Sequence, residues 1–539
     1  MSRKDKEHTS FKADEITYLD RKSIKLDRMM LNLFELLRFD GRRGVRRRRR
    51  AVDVESLTAT MLGEAAARFP GFERHPEVAR AWLSNDLLEI MNRGKPGRET
   101  VVGPRPFHLN AYKLANPKAV QDYGASQQIW AMLYHADRPL LARLKAFFGP
   151  GLDPATDTYD GTTELDLETL AVLSLADSVT GIAHHSDPPP IPIQPLCQVQ
   201  GRLMAEDLRA LLAYEDAVPR HVLAAYIRTM LGLHLALYVL RLFRLVPAWV
   251  EAARLGLPRP GCPIEAGTCR DMRRCPYSTM LVVDLTEDSG SAPSALARAS
   301  AAACLESTSA YVRAVIVINR LKDFATAQAG RGRMRPANGL DDLLAILRDP
   351  PASMDGFFDG RIENLTERKP DEDPDPVERE ILQLQGRPAL ETYVELICLY
   401  RLTNERDHLT DLVDSLGQKN QPGGFIRQPA GTRQPRSFVL GGRLLEALVQ
   451  VAVVERDEHG GLTTRPILID EFCGWLAERY GFIVYAPAFQ SVPPEDQLAW
   501  RQNERALRER LHQIGFFTDL SDAYNSQTLQ PRYAVHAHA

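Results

Sequence analysis

Two proline-dense stretches constrain the folding of this chain more than anything else in its sequence: SDPPPIPIQP at 186–195 and ERKPDEDPDP at 367–376. Proline lacks the N–H and its ring clashes with the preceding helical turn, so neither stretch can be regular helix. The first reads as an extended connector. The second is acidic as well as proline-rich and reads as an exposed linker. Around these breaks the apolar residues recur at helical spacing. Ile24, Leu26, Met29, Met30, Leu33, Phe34, Leu36 and Leu37 predict an amphipathic helix over 21–39. The same pattern predicts helices over 54–68, 78–92, 126–148, 206–214, 221–246 and 293–324, with 126–148 and 293–324 long enough to be broken in two. TMLVVDL (279–285) and FIVY (482–485) are short and β-branched or aromatic, and read as strands.

The region 386–490 carries the clearest local pattern. Leu390, Tyr393, Val394 and Ile397 mark one helix. Asn404 is placed to cap a second, with Leu409, Leu412, Val413 and Leu416 on its buried face and Gly417 stopping it. Leu444, Leu445, Leu448, Val451 and Ala452 mark a third. Thr464 with Pro466 begins a fourth, burying Phe472, Trp475 and Leu476. Short helices punctuated by hairpin-like segments resemble a winged-helix domain in pattern. The expected fold is mainly α with small β elements, in several domains with a winged-helix-like C-terminal region. The expected divisions are a basic arm and helix (1–50), a helical domain (51–185), a helical domain with a cysteine cluster (197–365), the acidic linker (366–385), the winged-helix-like domain (386–490), and a C-terminal helix and tail (491–539). No repeat of fixed period appears.

Length agrees with several domains: 539 residues at ~100–200 per domain gives about three or four. Hydrophobic residues are 44 % and charged residues 25 %, which excludes collagen-like, disordered and disulfide-scaffold classes. A net charge of −3 excludes attraction to polyanions by bulk charge, so any nucleic-acid role rests on local patches. Residues 1–12 are charged without an apolar core, unlike a secretory signal. Arg228, Arg241 and Arg244 interrupt the apolar segment 221–250, which therefore reads as a core helix rather than a membrane span. A cytoplasmic protein without membrane contact is expected.

Two basic segments stand out. GRRGVRRRRR (41–50) puts seven arginines in ten positions, and Arg46, Arg47, Arg48, Arg49 and Arg50 form its end. Such a block repels itself, and fits either a solvated linker or a phosphate contact. The loop GQKNQPGGFIRQPAGTRQPRSF (417–438) holds Lys419, Arg427, Arg433 and Arg436 and no acid. With 70 acidic residues in the chain, none falls between Asp414 and Glu446. The arginines suit phosphates, while Asn420 and the glutamines suit base edges. A third patch, Arg331, Arg333 and Arg335 in GRGRMRP, reads as a flexible cationic linker.

The cysteines offer one metal constellation. Of 7 cysteines, Cys262, Cys269 and Cys275 fall within GCPIEAGTCRDMRRCPYS. Thiolates at this density in a turn-rich segment suit zinc or an iron–sulfur cluster. The spacing C-x6-C-x5-C is not the common paired one, and a fourth ligand is needed. Cys197 is the first choice; His184, His185 and His234 are alternatives. Reduced structural cysteines and redox chemistry are the competing readings. A closed all-thiolate site has no open position for substrate, so a metal here is expected to be structural. His184-His185 itself reads as a surface pair. No P-loop, G-x-G-x-x-G, H-E-x-x-H or G-x-S-x-G is present.

Three segments carry a family resemblance: ITYLDRKSIKLDRMMLNLFELL, LGQKNQPGGFIRQP and ILIDEFCGWLAERYG. They resemble accessory proteins of bacterial methylation-associated antiphage defence systems. The resemblance implies a subunit acting with a methyltransferase, a nuclease or an ATPase, and it transfers no functional residue. Together with the basic segments, the leading expectation is a non-enzymatic, DNA-binding accessory subunit of a restriction-like defence complex. The alternatives are a metal-dependent or iron–sulfur DNA-processing enzyme such as a nuclease, and a protein-assembly scaffold.

Overall fold

The computed structural model describes residues 11–46, 52–95, 98–153, 156–178, 182–183, 187, 189–261, 271–367, 375–430, 434–485, 494–516 and 528–535. The chain is mainly helical with small sheets, as expected. The divisions differ from the expected consecutive domains. The chain forms two compact units, each built from separated segments: one from 1–23, 236–442 and 467–528, the other from 24–235, 443–466 and 529–539. Helix Arg220–Arg254 contributes its first part to one unit and its remainder to the other.

The second of these units is a helical assembly with small antiparallel hairpins. Helix Leu26–Arg38 buries the predicted stripe, with Met29, Met30, Leu33 and Phe34 at most 1 % exposed. It packs on helix Ala125–Ala136, which packs in turn on helix Gln198–Leu212. The expected 126–148 pattern is two helices, because Pro139 restarts the helix at Arg138–Phe148 with Asp137 as its cap. The expected helix over 78–92 is shorter. Helix Pro76–Trp82 loosens into a π-turn at Leu83–Leu87 and becomes strand Leu88–Met91, paired antiparallel with Thr100–Pro104. A buried chain of hydrogen bonds also crosses this unit: Gln200 to His234 Nδ1 at 2.6 Å, and His234 Nε2 to Asp207 at 2.7 Å.

The other unit combines helices with a four-stranded mixed sheet. Strands Phe482–Ile483, Leu281–Asp284 and Ser437–Val439 run parallel, and Ile426–Arg427 closes the edge antiparallel. Both predicted β segments are therefore strands of one sheet. Phe425 stacks on Phe438 at 6.0 Å and meets Phe482 at a tilt at 5.8 Å. Helix Ala292–Glu306 lies on Leu281–Asp284 and Ser437–Val439. The long 293–324 pattern does break, at Ser307, into Ala292–Glu306 and Thr308–Gly330.

Three expectations for 386–490 are corrected. Asn404 caps nothing: helix Ala389–Leu416 runs unbroken through it. The buried positions on either side stay in register through Glu405, and Asn404 lies on the exposed face. The strand Leu462–Thr464 occupies the expected start of the fourth helix, which begins at Ile469. No self-contained winged helix is formed by the described residues. Ser437–Val439 pairs in parallel with a strand far upstream, and 443–466 belongs to the other unit.

Helix Arg220–Arg254 and the stretch 292–330 are long and apolar enough to cross a membrane. In the fold, 83 % and 56 % of their most apolar windows are buried, as in core helices.

Candidate nucleic-acid interface

The loop after helix Ala389–Leu416 is folded against its own chain. Gln418 and Asn420 take left-handed backbone conformations (φ 48° and 60°). These turn the chain back so that Phe425 N donates to Gly417 O at 3.0 Å. Glycine at 424 is obligatory for this turn, because a Cβ there would sit 2.0 Å from the Gln418 carbonyl oxygen. The side chains expected to address bases serve the loop instead. The Asn420 amide donates to Gln428 O and accepts from Gln428 N, both at 2.9 Å. Gln418 donates to Gly423 O, and Gln428 to Gln434 O.

The loop's cations are largely engaged as well. Asp414, 5 % exposed, accepts two parallel bonds from the Arg436 guanidinium, at 2.8 and 2.9 Å. Lys419 bonds the same carboxylate. This fork raises the pKa of Arg436 above the usual arginine value. Arg427 donates to Glu287 O at 3.0 Å. Arg433 lies outside the described residues. Two cations of the acid-free run, Lys419 and Arg436, are thus paired with the acid just before it.

The turn at 331–335 is the opposite case. Helix Thr308–Gly330 ends with Gly332 N bonded to Ala329 O and Arg333 N bonded to Gln328 O. Gly332 takes φ +69°, which reverses the chain and lifts the next residues away from the helix. Arg331, Arg333 and Arg335 are all exposed. None of the three makes an ion pair among the described residues. The acids that follow in sequence have other partners: Asp341 pairs with Arg259 at 3.4 Å, and Asp342 accepts from Asn338 N. Alternate positions over five residues place the three guanidiniums within about 14 Å of chain.

The arginine arm is anchored at its base. Arg43 bonds Asn32 at 3.0 Å and Asp122 at 3.3 Å, and Gly44 N donates to the buried Glu35 carboxylate. Val45–Arg46 then pairs antiparallel with Ile182–Ala183. Arg47, Arg48, Arg49 and Arg50 lie outside the described residues. A cleft of about 530 Å³ in the same unit has mixed charge, and two of its arginines are paired: Arg143 with Glu215, Arg209 with Asp137.

Cys262 and Cys269 lie outside the described residues, as do His184 and His185. Cys275 follows a short turn at Met272–Arg274, and Cys197 sits at the start of helix Gln198–Leu212; both are half-buried, and the two belong to different units. His234, the remaining alternative ligand, is fully buried and bonded at both ring nitrogens. The other three cysteines are buried. Burial pushes Cys304 up to about 11, Cys398 up to about 12 and Cys473 higher still, so they remain thiols at neutral pH. Among the described residues, no three His, Cys, Asp or Glu side chains gather as a metal site.

A family model described as "Methylation-associated defense system protein MAD7" matches residues 6–533, nearly the whole chain. The chain belongs to the MAD7 family. It is therefore a component of a bacterial methylation-associated antiphage defence system, which implies other system proteins alongside it. No curated protein and no solved structure matches it.

Proposed function

We propose that this MAD7-family chain is a non-enzymatic accessory subunit that grips the DNA backbone for its defence system in the bacterial cytoplasm. The observation that carries this reading is the turn Arg331–Arg335, with three exposed arginines and no ion pair among the described residues. Guanidinium groups already paired with carboxylates have little to gain from a phosphate, whereas unpaired ones release counterions when they meet one. The arm Arg46–Arg50 is the second contact, argued from its charge density alone. Phosphate contacts carry no direct sequence information, so recognition of modified or foreign DNA falls to the methyltransferase, nuclease or ATPase partners.

The test is titration of the purified chain with unrelated duplexes, methylated and unmethylated, across a salt series. Affinities that agree within about twofold between sequences, with a steep salt slope, support the reading. Absence of binding at low salt contradicts it. A structural zinc or iron–sulfur centre on Cys262, Cys269 and Cys275 is proposed from sequence density. Stoichiometric zinc or iron by elemental analysis supports it. Substoichiometric metal together with an unaltered Cys269→Ser variant contradicts it.

A further inference from the structure

We propose that Asn338 is a site of spontaneous covalent modification, where loss of the side-chain amide sets a new carboxylate beside the cationic turn Arg331–Arg335. The modification rests on local geometry alone. Its effect on DNA rests on the backbone-gripping function proposed for that turn.

Asn338 and Gly339 form the one Asn-Gly pair in the chain. The chemistry joins two groups already adjacent on one backbone, which makes it unimolecular. The Gly339 nitrogen attacks the Asn338 Cγ. The bond from Cγ to the amide nitrogen breaks, and that nitrogen leaves as ammonia with the proton from Gly339 N. Water then opens the resulting five-membered imide at one of its two carbonyls, giving aspartate or isoaspartate. Water is the only co-reactant, and nothing is oxidised or reduced. Glycine favours the step because no Cβ crowds the attacking nitrogen.

The fold leaves both reacting groups free. Asn338 is exposed, and its side-chain amide makes no hydrogen bond among the described residues; only its backbone N is held, by Asp342 Oδ2 at 2.7 Å. Gly339 caps the start of helix Leu340–Arg348, where the helix offers its N–H no acceptor, and that N–H makes no bond among the described residues. Its φ of +104° suits glycine and few other residues. Other asparagines differ. The amides of Asn92, Asn110 and Asn420 donate to the carbonyls of Arg98, Asp157 and Gln428. Asn404 is exposed, but the nitrogen after it lies inside helix Ala389–Leu416. Asn338 follows Arg335 by three residues, at most about 10 Å of chain. The nearby acids are engaged, Asp341 with Arg259 and Asp342 with Asn338 N. A carboxylate at 338 would give the turn's guanidiniums an internal partner in competition with phosphate.

The test incubates the full folded chain in mildly alkaline buffer over several days and follows it by peptide mass spectrometry. Position 338 should change from amide to acid before any other asparagine, as a mixture of aspartate and isoaspartate. Asn338→Gln, which needs a larger ring, should stay unmodified. An intact amide at 338 while other asparagines convert, or no conversion at all, overturns the proposal. The consequence is read separately, with Asn338→Asp as a ready-made product. If the new carboxylate removes one phosphate contact, its slope of log K against log salt on duplex DNA should be flatter than wild type by about 0.9. A wild-type slope overturns the link to DNA. Absence of duplex binding by the wild type contradicts the proposed function of the turn instead, and the mass measurement still decides the modification.

Discussion

The hairpin at 417–440 and the turn at 331–335 are both arginine-bearing, acid-free stretches of sequence, yet they differ in what the fold does with their charge. In the hairpin, one buried carboxylate, Asp414, collects Arg436 and Lys419, and Arg427 closes onto a backbone carbonyl. In the turn, the downstream acids Asp341 and Asp342 have other partners, and Arg331, Arg333 and Arg335 face solvent. Local charge density in sequence therefore does not identify a polyanion surface. What identifies it is charge left over after the tertiary ion pairs have formed. The hairpin pairs two of its cations with a carboxylate, and the turn leaves its three arginines exposed with no ion pair among the described residues.

Three substitutions would break or sharpen this contrast in stability measurements. Gly424→Ala should have the largest effect, about 3 kcal/mol of destabilisation in denaturant titrations. Its Cβ meets two backbone oxygens, at 2.0 and 2.7 Å, and backbone cannot give way as a flexible side chain can. Asp414→Ala should cost about 2 kcal/mol, because it strands two cations around a buried position. The value is set below that of a fully buried pair because both bases are partly solvated. Replacing Arg331, Arg333 and Arg335 together with Ala should change stability by no more than about 0.5 kcal/mol. A large loss in the turn variant, or none in Asp414→Ala, would erase the contrast.

Much of the helical framework was legible in the sequence, because burial of an apolar stripe writes a 3.6-residue period into it. The helix Leu26–Arg38 and the pair Ala292–Glu306 and Thr308–Gly330 show this, whereas Gln198–Leu212 begins eight residues before the expected 206–214. The strands Leu281–Asp284 and Phe482–Ile483 were legible as β segments, but their parallel pairing was not. That pairing joins residues about two hundred positions apart, and no local pattern encodes it. Asn404 misled because a capping residue type also sits comfortably on an exposed helical face. The candidate sites divide the same way. Arg331–Arg335 was visible but read as a linker, since sequence shows neither the partners of Asp341 nor those of Asp342. Lys419 and Arg436 looked free because Asp414 lies at the edge of the acid-free run.

The most direct measurement compares the salt dependence of duplex DNA binding among three proteins: wild type, the triple turn variant (Arg331→Ala, Arg333→Ala, Arg335→Ala) and a double hairpin variant (Lys419→Ala, Arg436→Ala). Each lost phosphate contact removes about 0.9 from the slope of log K against log salt. The turn variant should therefore be flatter than wild type by about 2.7, and the hairpin variant should match wild type within about 0.5. A flattened slope in the hairpin variant with an unchanged slope in the turn variant, both folded by circular dichroism, would contradict the account.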